Sequence, residues 1–259
     1  MRIHLRGLAV IKIEERVQTM GVTINADIGE GFGLYSFGND EKIMPYITIA
    51  NVACGFHASD PPVMHKTVKL AKQHGVKVGA HPSLPDRQGF GRREMVMQRE
   101  ELRDFVIYQV GALKGFLAAQ GMELNHIKPH GALFGMTSKY EHCAEAIADA
   151  AEVFKVPLIG QAATMHDTVY TRRGLPWWPE FYADLEYDKT GALIITREHE
   201  PYEPRATADR VLRAIKEHKV RSIEGVDVSA NAQTVCIHSD TPGIDKVAPV
   251  LREALRSYM

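Results

Sequence analysis

Short apolar runs alternate with amphipathic segments of helical length along most of the chain. The runs are almost continuously apolar, which is typical of strands whose two faces are both buried. Strands are predicted at 22–28, 47–54, 76–80, 126–128, 158–161, 181–185 and 234–237, and helices at 61–73, 95–120, 139–153, 165–173 and 207–217. This alternation predicts a mainly parallel sheet with helices packed outside it.

The segments between the predicted elements give boundary signals. Asp60 precedes Pro61, a combination that is typical of the first turn of a helix. The proline-rich stretch 176–179 and the polar stretch 197–205 are expected to be loops or insertions.

The domain organisation is expected to be simple. The chain's 259 residues correspond to about 1.7 average domains. We expect one barrel domain over 21–259, because no repeat, low-complexity tract or obvious linker interrupts it. Residues 1–20 begin like a signal peptide, with Arg2 and Arg6 ahead of an apolar run. That run is short and charged residues follow it at once, so 1–20 is expected to be a cytosolic extension.

Charge and cysteine content argue against several classes of protein. Lys and Arg total 31 and Asp and Glu total 32, a balance that favours neither nucleic acid nor an anionic membrane as a partner. Cys54, Cys143 and Cys236 are far apart and form no C-x-x-C pair, which argues against a disulfide framework and favours a reducing cytoplasm. No stretch reaches 18 apolar residues, so no membrane-spanning segment is predicted.

Polar side chains that suit a core poorly follow five of the predicted strands. In a parallel barrel or sheet the carboxyl ends of the strands gather on one face, where active sites form. Strand periodicity also places Asn25 on the same side as Asp27, and His126 on the same side as Lys128. The polar residues that we expect to converge are Asn25, Asp27, Glu30, Asn51, His57, His81, His126, Lys128, His130, His238 and Asp240.

Four of these residues are histidines that follow apolar runs, namely His57, His81, His130 and His238. Each is compatible with an ordinary hydrogen-bonded histidine of the interior. Two functional interpretations compete with that one. The first is a divalent-metal site at Asp27, His81 and His130. The second is acid–base catalysis with Asp27 or a histidine as the base.

Glycines at 29, 31 and 33 surround Glu30. They indicate either a close approach of the backbone to a ligand such as a phosphate, or a plain turn. Their spacing differs from the dinucleotide fingerprint G-x-G-x-x-G, and no G-x-x-x-x-G-K-[ST] occurs in the chain. Any ATP that the protein uses is therefore expected to be bound in another way, or by a partner.

Two basic residues stand out. Lys128 lies in an apolar run, where a buried ammonium ion requires a partner. Asp27, Glu180 or an anionic substrate would supply the opposite charge, in a structural ion pair or in a binding site. Arg92 belongs to the glycine- and arginine-rich segment 86–93. That segment is expected either to bind a carboxylate or phosphate, or to be a solvated loop.

Together these segments resemble the LamB/YcsF family. The similarity runs from about Val22 to Thr241, and A-N-x-A-C-G-F-H and K-P-H-G-A-L are long enough to be specific. The segments that carry it are 25–30, 50–61, 79–82, 85–93, 128–133, 181–184 and 236–242.

The resemblance implies an α/β fold, an incomplete (β/α)7 TIM-like barrel of the glycoside hydrolase/deacetylase type. It implies ATP-dependent opening of 5-oxo-L-proline to L-glutamate in a cytoplasmic complex with two further subunits, with ATP and Mg2+ as cofactors. A homo-oligomer is also compatible with it, and neither a nucleic acid nor a membrane is an expected partner.

The resemblance also implies the site residues, to which the arginine-rich segment adds Arg92. Phosphorylation of the amide oxygen would make the lactam a better electrophile. Asp27 or His130 would then act as the base for water, and Lys128 and Arg92 would stabilise negative charge. The expected catalytic residues are Asp27, Lys128 and His130, and the expected substrate-binding residues are Glu30, Asn51, His57, His81, Arg92, Asp184 and His238.

The chain departs from the family pattern near the sixth and seventh predicted strands. The usual E-x-F-A-D-R is here E-F-Y-A-D-L, so Leu185 replaces an arginine and Glu180 is displaced. Ser239 stands in place of the glycine of H-G-D, and 194–201 differs from the usual run. A related lactam or amide is therefore an alternative substrate.

Two other functions also remain open from the sequence. One is a metal-dependent amide or deacetylase-type hydrolase that acts alone, which bound metal would favour. The other is a non-catalytic subunit that binds a lactam and presents it to a partner enzyme, which binding without turnover would favour.

Overall fold

The structure, a computed structural model, describes residues 21–194 and 201–259. The expected extension over 1–20 lies outside the described residues, as do residues 197–200 of the expected loop at 197–205. The described residues form an α/β barrel with its helices outside the sheet.

Seven parallel strands close into the barrel. Each of the first six pairs with the next along the chain, and the last lies between the sixth and the first. The TIM-like barrel of seven strands is therefore confirmed. In chain order the strands are β1 (Thr23–Ile28), β2 (Ile49–Ala53), β3 (Lys77–His81), β4 (Leu124–Ile127), β5 (Leu158–Gly160), β6 (Trp177–Tyr182) and β7 (Thr234–His238).

Strand β6 begins four residues earlier than predicted. The prediction placed a loop at 176–179 and a strand at 181–185, whereas β6 covers Trp177–Tyr182. Pro179 misled the prediction, because proline lacks the N–H that a ladder uses. Its carbonyl oxygen still accepts from the Gln233 N–H at 3.0 Å. The two tryptophans that begin β6 supply the aromatic side chains that strands favour.

The helices are α1 (Asp40–Ile43), α2 (Pro61–Gln73), α3 (Arg99–Ala119), α4 (Gly131–Lys139), α5 (Glu141–Phe154), α6 (Met165–Arg172), α7 (Pro204–Glu217) and α8 (Ile244–Ala254). Helices α2, α3, α5, α6 and α7 confirm the predicted ones. Helices α1, α4 and α8 were missed, and α7 begins inside the expected loop at 197–205. Pro249 lies within α8 and obscured its pattern. None of the described helices combines the length and apolarity that crossing a bilayer requires.

The strand register brings the polar strand ends together. Asp27 of β1 lies opposite His238 of β7 on one side and Asn51 of β2 on the other. Ala53 at the end of β2 lies opposite His81 at the end of β3. The polar residues that follow the strands therefore meet at the carboxyl end of the barrel, as in other parallel barrels.

Candidate active site

A cavity of about 460 Å³ lies at the carboxyl ends of the barrel strands. All ten predicted site residues gather there, although in two layers. Asn51, His57 and Asp184 are buried behind the wall and contact residues that line it. The other seven predicted residues line the cavity: Asp27, Glu30, His81, Arg92, Lys128, His130 and His238.

A buried lysine forms the first group of contacts, which we call the lysine cluster: Asp27, Lys128 and Glu180. Lys128 Nζ lies 3.0 Å from Asp27 Oδ1 and 2.9 Å from Glu180 Oε1. Burial alone would lower the pKa of Lys128, but the neighbouring Asp27 and Glu180 outweigh it and raise that pKa well above its ordinary value. The ammonium ion is therefore permanent, and it has both counter-charges that the sequence suggested.

Asp27 is held from several sides. Asn51 Nδ2 donates to its Oδ1 at 2.7 Å, and His81 Nε2 lies 3.2 Å from its Oδ2. Burial raises the pKa of Asp27, but His81 and Lys128 outweigh it and bring the pKa well below 3.8. Asp27 is therefore a fixed carboxylate at the cavity wall.

The second group contains one glutamate and three histidines, and we call it the histidine cluster: Glu30, His57, His81 and His130. Glu30 Oε1 lies 2.9 Å from His57 Nε2 and 3.3 Å from His130 Nδ1. His130 Nδ1 lies 3.0 Å from His81 Nε2, and the ring centres of His57 and His130 are 3.7 Å apart. Burial holds the pKa of both His57 and His130 well below 6.5, so both rings are neutral at pH 7.

The histidine cluster has the donor atoms for a divalent ion. Each member presents one nitrogen or oxygen atom, and these atoms all lie within 4.8 Å of one another. Asp27, which the sequence grouped with His81 and His130, belongs instead to a neighbouring group with Cys236 and His238. Imidazole and carboxylate together suit transition ions, and His81 Nε2 of this cluster also lies 3.2 Å from Asp27 Oδ2.

His238 and Asp184 form a hydrogen-bonded pair beside Asp27. Asp184 Oδ1 lies 3.0 Å from His238 Nδ1, and Asp184 Oδ2 accepts from Thr241 Oγ1 at 2.8 Å. Burial lowers the pKa of His238, but Asp184 and then Asp27 outweigh it and raise that pKa to about 9. His238 therefore carries a proton at pH 7.

A polar layer inside the barrel supports these groups. Asn51 Nδ2 also donates to Asn25 Oδ1 at 2.7 Å, and His126 Nε2 lies 2.6 Å from Asn51 Oδ1. Gly79 makes room for His126, because a β-carbon there would collide with the imidazole ring. Burial lowers the pKa of His126 to about 3, so it acts as a neutral donor that fixes Asn51.

The arginine-rich segment 86–93 uses its arginines in different ways. Arg93 pairs with the buried carboxylate of Asp86. Arg87 donates to the Ser59 carbonyl oxygen at 3.1 Å. Arg92 lines the cavity and is the member of this segment that faces a ligand.

The glycine segment after β1 does not fit a phosphate. The N–H of Gly29 donates to Asp40 Oδ2 at 2.8 Å, and the N–H of Gly33 donates to Asp60 Oδ2 at 2.6 Å. These amides already bind carboxylates, which would also repel an anion. The turn interpretation of this segment is therefore the better one.

Sequence reasoning missed part of the cavity wall. Glu180 was named only as a counter-charge, and Tyr182 was not named, yet both line the cavity. Tyr182 stacks beside His238 with ring centres 5.8 Å apart. The need of Lys128 for a counter-charge was the available signal, but the misplaced β6 concealed which of its side chains face inward.

Two of the departures from the family pattern, Leu185 and Ser239, lie beside the cavity, and most of the third, 194–201, lies outside the described residues. Leu185 lines the cavity. Ser239 is buried against Gly38, where a β-carbon would collide with the serine hydroxyl. Neither of these two residues belongs to the lysine or the histidine cluster, whereas the displaced Glu180 belongs to the lysine cluster.

Comparison with known proteins gives consistent matches. The LamB/YcsF family matches residues 22–258. A 5-oxoprolinase subunit from Bacillus licheniformis is 45% identical over 240 residues, which cover 91% of this chain and 95% of that protein. The lactam utilization protein lamB of Emericella nidulans is 40% identical over 239 residues, which cover 91% and 94%.

A solved structure matches equally widely. The crystal structure of the lactam utilization protein from Thermus thermophilus has a TM-score of 0.85 and 40% sequence identity to this chain. The match covers 92% of this chain and 97% of the other, so the two proteins share the barrel over nearly their whole length.

Proposed function

This chain belongs to the LamB/YcsF family, and we propose that it opens 5-oxo-L-proline to L-glutamate as one subunit of an ATP-hydrolysing complex with two partner subunits. The names of its relatives support the substrate and the subunit role. The observation that carries the proposal is the cavity at the strand ends, where a fixed carboxylate, a neutral imidazole and a protonated imidazole face one space. The buried free cysteines agree with a cytoplasmic location.

The proposed reaction consumes one lactam, one ATP and two waters, and it yields glutamate, ADP and phosphate. ATP supplies the driving force by phosphorylating the amide oxygen, which makes the ring carbonyl carbon more electrophilic. We assign ATP and its Mg2+ to the partner subunits, because the glycine segment of this chain already donates to Asp40 and Asp60.

Two groups of this chain can accept a proton from the attacking water. Asp27 is a carboxylate because Lys128 and His81 stabilise its charge. His130 is neutral and presents Nδ1 to the cluster. In either case the new C–O bond forms as the water proton passes to the base.

His238 supplies the proton for the other half of the reaction. Its Nδ1 is held by Asp184, and its ring lines the cavity on the side of Asp27. Because the ring is protonated at pH 7, it can donate to the lactam nitrogen as the C–N bond breaks. Asp184 thus keeps the acid charged and correctly oriented.

Arg92 provides the recognition element for the substrate carboxylate. It is the arginine of segment 86–93 that lines the cavity, and a guanidinium group binds a carboxylate through paired hydrogen bonds. Leu185, which stands where the family has arginine, also lines the cavity. A lactam that differs from 5-oxo-L-proline in the substituent facing Leu185 is the alternative substrate.

Reconstitution with the partner subunits tests the proposal. Phosphate release that depends on 5-oxo-L-proline is measured for the wild type, Asp27→Asn and His238→Asn. Each substitution removes a proton-transfer group, so turnover at saturating lactam should fall by about 100-fold or more. The control is Lys66→Met, which changes an exposed residue of α2 that lies outside the cavity.

Two results would count against the proposal. One is a wild-type complex that releases no phosphate in response to lactam. The other is undiminished turnover in both variants, together with lactam binding to the isolated chain by calorimetry. That second result would instead favour the non-catalytic, lactam-presenting subunit.

A further inference from the structure

The tautomers of two cavity histidines are fixed by backbone carbonyl groups. His81 Nδ1 lies 2.8 Å from the Lys128 carbonyl oxygen, and His130 Nε2 lies 2.8 Å from the Phe90 carbonyl oxygen. A carbonyl oxygen only accepts, so each of these nitrogens must carry the hydrogen. His81 Nε2 and His130 Nδ1 are therefore the ring nitrogens that remain for another partner.

These two nitrogens face each other. His81 Nε2 and His130 Nδ1 are 3.0 Å apart, and His130 Nδ1 is 3.3 Å from Glu30 Oε1. One carboxylate oxygen and two imidazole nitrogens thus converge, and His81 Nε2 also lies 3.2 Å from Asp27 Oδ2. A cation bound among these atoms would contact all of them at once.

The charge of Glu30 points to a cation. Among the described residues, the ion pairs of Glu30 are with His57 and His130, so neither lysine nor arginine neutralises this buried carboxylate. A buried carboxylate without a compensating charge is strongly unfavourable. Adjacent ligands of a tetrahedral ion at 2.0–2.1 Å lie about 3.3 Å apart, close to the separations here.

We propose that Glu30 Oε1, His81 Nε2 and His130 Nδ1 bind one divalent transition-metal ion. All three residues line the cavity, so a coordination position on the cavity side remains open, as in catalytic rather than structural sites. Two imidazoles and one carboxylate suit Zn2+, Mn2+ or Co2+ better than Mg2+ or Ca2+, which prefer oxygen ligands.

His57 has a supporting role in this site. Its Nε2 donates to Glu30 at 2.9 Å, its ring stacks on His130, and it does not line the cavity. It therefore orients the carboxylate, in the manner of the outer partners that metal ligands commonly have.

The loop that fixes His130 is itself held in place. Phe90 has φ +53°, which is a strained conformation for a side chain of this kind. Asp86 stabilises the turn, since its Oδ1 accepts from the Gly89 N–H at 2.9 Å and its carbonyl oxygen accepts from the Gly91 N–H at 2.8 Å. These contacts keep the Phe90 carbonyl aimed at His130.

This site deepens the proposed function but does not need it. With His130 Nδ1 on an ion, Asp27 is left as the acceptor for the water proton. Metal binding is measured without lactam, ATP or partner subunits, so the two proposals can fail separately. One equivalent of bound metal without turnover would refute only the function, whereas lactam turnover by a metal-free complex would refute only this site.

The test uses the full chain, stripped with a chelator. Zn2+ is titrated by calorimetry, and Co2+ by its visible absorption, which reports nitrogen and oxygen coordination. We expect one equivalent of each to bind, with no competition from Mg2+. His81→Gln and His130→Gln should each weaken Zn2+ binding by about 100-fold or more, whereas His65→Gln, the same change at an exposed histidine of α2, should leave it unaltered.

A measurement on the wild type alone does not depend on whether a variant folds. Because Zn2+ would bind only the folded chain, it should raise the midpoint of thermal unfolding of the wild type. If the stripped wild type does not bind one equivalent of Zn2+, the proposed site is wrong. The contact between His81 Nε2 and His130 Nδ1 would then be explained by a shared proton. Equal Zn2+ binding by His130→Gln and His65→Gln would overturn it as well.

Discussion

The lysine cluster and the histidine cluster share one cavity but balance their charges differently. In the lysine cluster, one ammonium ion lies 3.0 Å and 2.9 Å from two carboxylates. In the histidine cluster, one carboxylate faces imidazole rings, and neighbouring nitrogen and oxygen atoms stand 3.0 Å and 3.3 Å apart. The chain itself supplies the counter-charges of Lys128, whereas the histidine cluster has the donor set for an added ion.

This contrast indicates what each group contributes. A satisfied buried ion pair stabilises the fold only while all its members are present, because removing one leaves the others charged and unpaired. A group of converging acceptors contributes little to stability until a cation arrives. Substitutions in the two clusters should therefore differ in their effect on the free energy of unfolding, although substitutions in either cluster should lower activity.

Removal of the buried ammonium ion should destabilise the protein most. Lys128→Met leaves the buried Glu180 without its counter-charge and removes one of those around Asp27, so the free energy of unfolding should fall by about 3–5 kcal/mol. Urea unfolding at pH 7 measures it. Adding Glu180→Gln to Lys128→Met should recover part of the loss, and a loss below about 1 kcal/mol would show that the cluster is not a buried pair.

Asp40 shows what a carboxylate does when burial is not offset by an ion pair. Burial raises the pKa of Asp40 to about 6, above its ordinary value of 3.8. The folded protein therefore binds the proton more tightly, and stability falls as pH rises from about 4 to 6, after which the cost is constant. Asp40→Asn should be more stable than the wild type by about 2 kcal/mol at pH 8.

The matching measurement is unfolding of both proteins at pH 4 and pH 8. The asparagine can still accept from the Gly29 N–H, so the backbone contact is retained. The advantage of Asp40→Asn should shrink towards zero at pH 4. An advantage of equal size at both pH values would show that the titration of Asp40 is not its cause.

Substitution in the histidine cluster should change the stability of the protein little and its activity strongly, unlike removal of Lys128, which should change stability most. In metal-stripped protein, His130→Gln replaces the imidazole beside Glu30 with an uncharged amide, which can donate to that carboxylate. The free energy of unfolding should change by only about 1 kcal/mol, while lactam turnover of the reconstituted complex falls by about 100-fold. A loss of stability as large as that of Lys128→Met would mean that the charges of this cluster are already balanced.

The barrel could be predicted because its strands carry a local signal. Strands β1, β2, β3, β5 and β7 are almost wholly buried, so each is a mostly apolar run that does not depend on its neighbours for recognition. Strand β6 was predicted at the wrong position because a proline such as Pro179, taken alone, indicates a break in a strand. The pairing of Pro179 with β5 accommodates it, and that pairing is not visible in the sequence. Helix α8 failed for the same reason at Pro249.

The site could be predicted as a set of residues but not as contacts. Polar strand ends indicate which residues meet at the carboxyl face, since parallel strands share that edge. Which atoms meet depends on loops: the Phe90 carbonyl that fixes His130 comes from a turn of segment 86–93, and Glu30 reaches His57 from the end of another strand. Tautomers and pairings of this kind have no counterpart in sequence spacing.

An exposed ion pair isolates burial as the cause of the stability change at Lys128. Lys66 Nζ lies 2.8 Å from Glu41 Oε1, nearly the same separation as between Lys128 and Glu180, but the two side chains are 75% and 68% exposed. Water already solvates both charges, so Lys66→Met should lower the free energy of unfolding by about 0.5 kcal/mol or less. Added salt should reduce even that difference, because it screens exposed charges. Urea unfolding at low and high salt measures the effect, and a loss approaching that of Lys128→Met would mean that ion pairing itself, rather than the enclosure of Lys128, governs the stability of the lysine cluster.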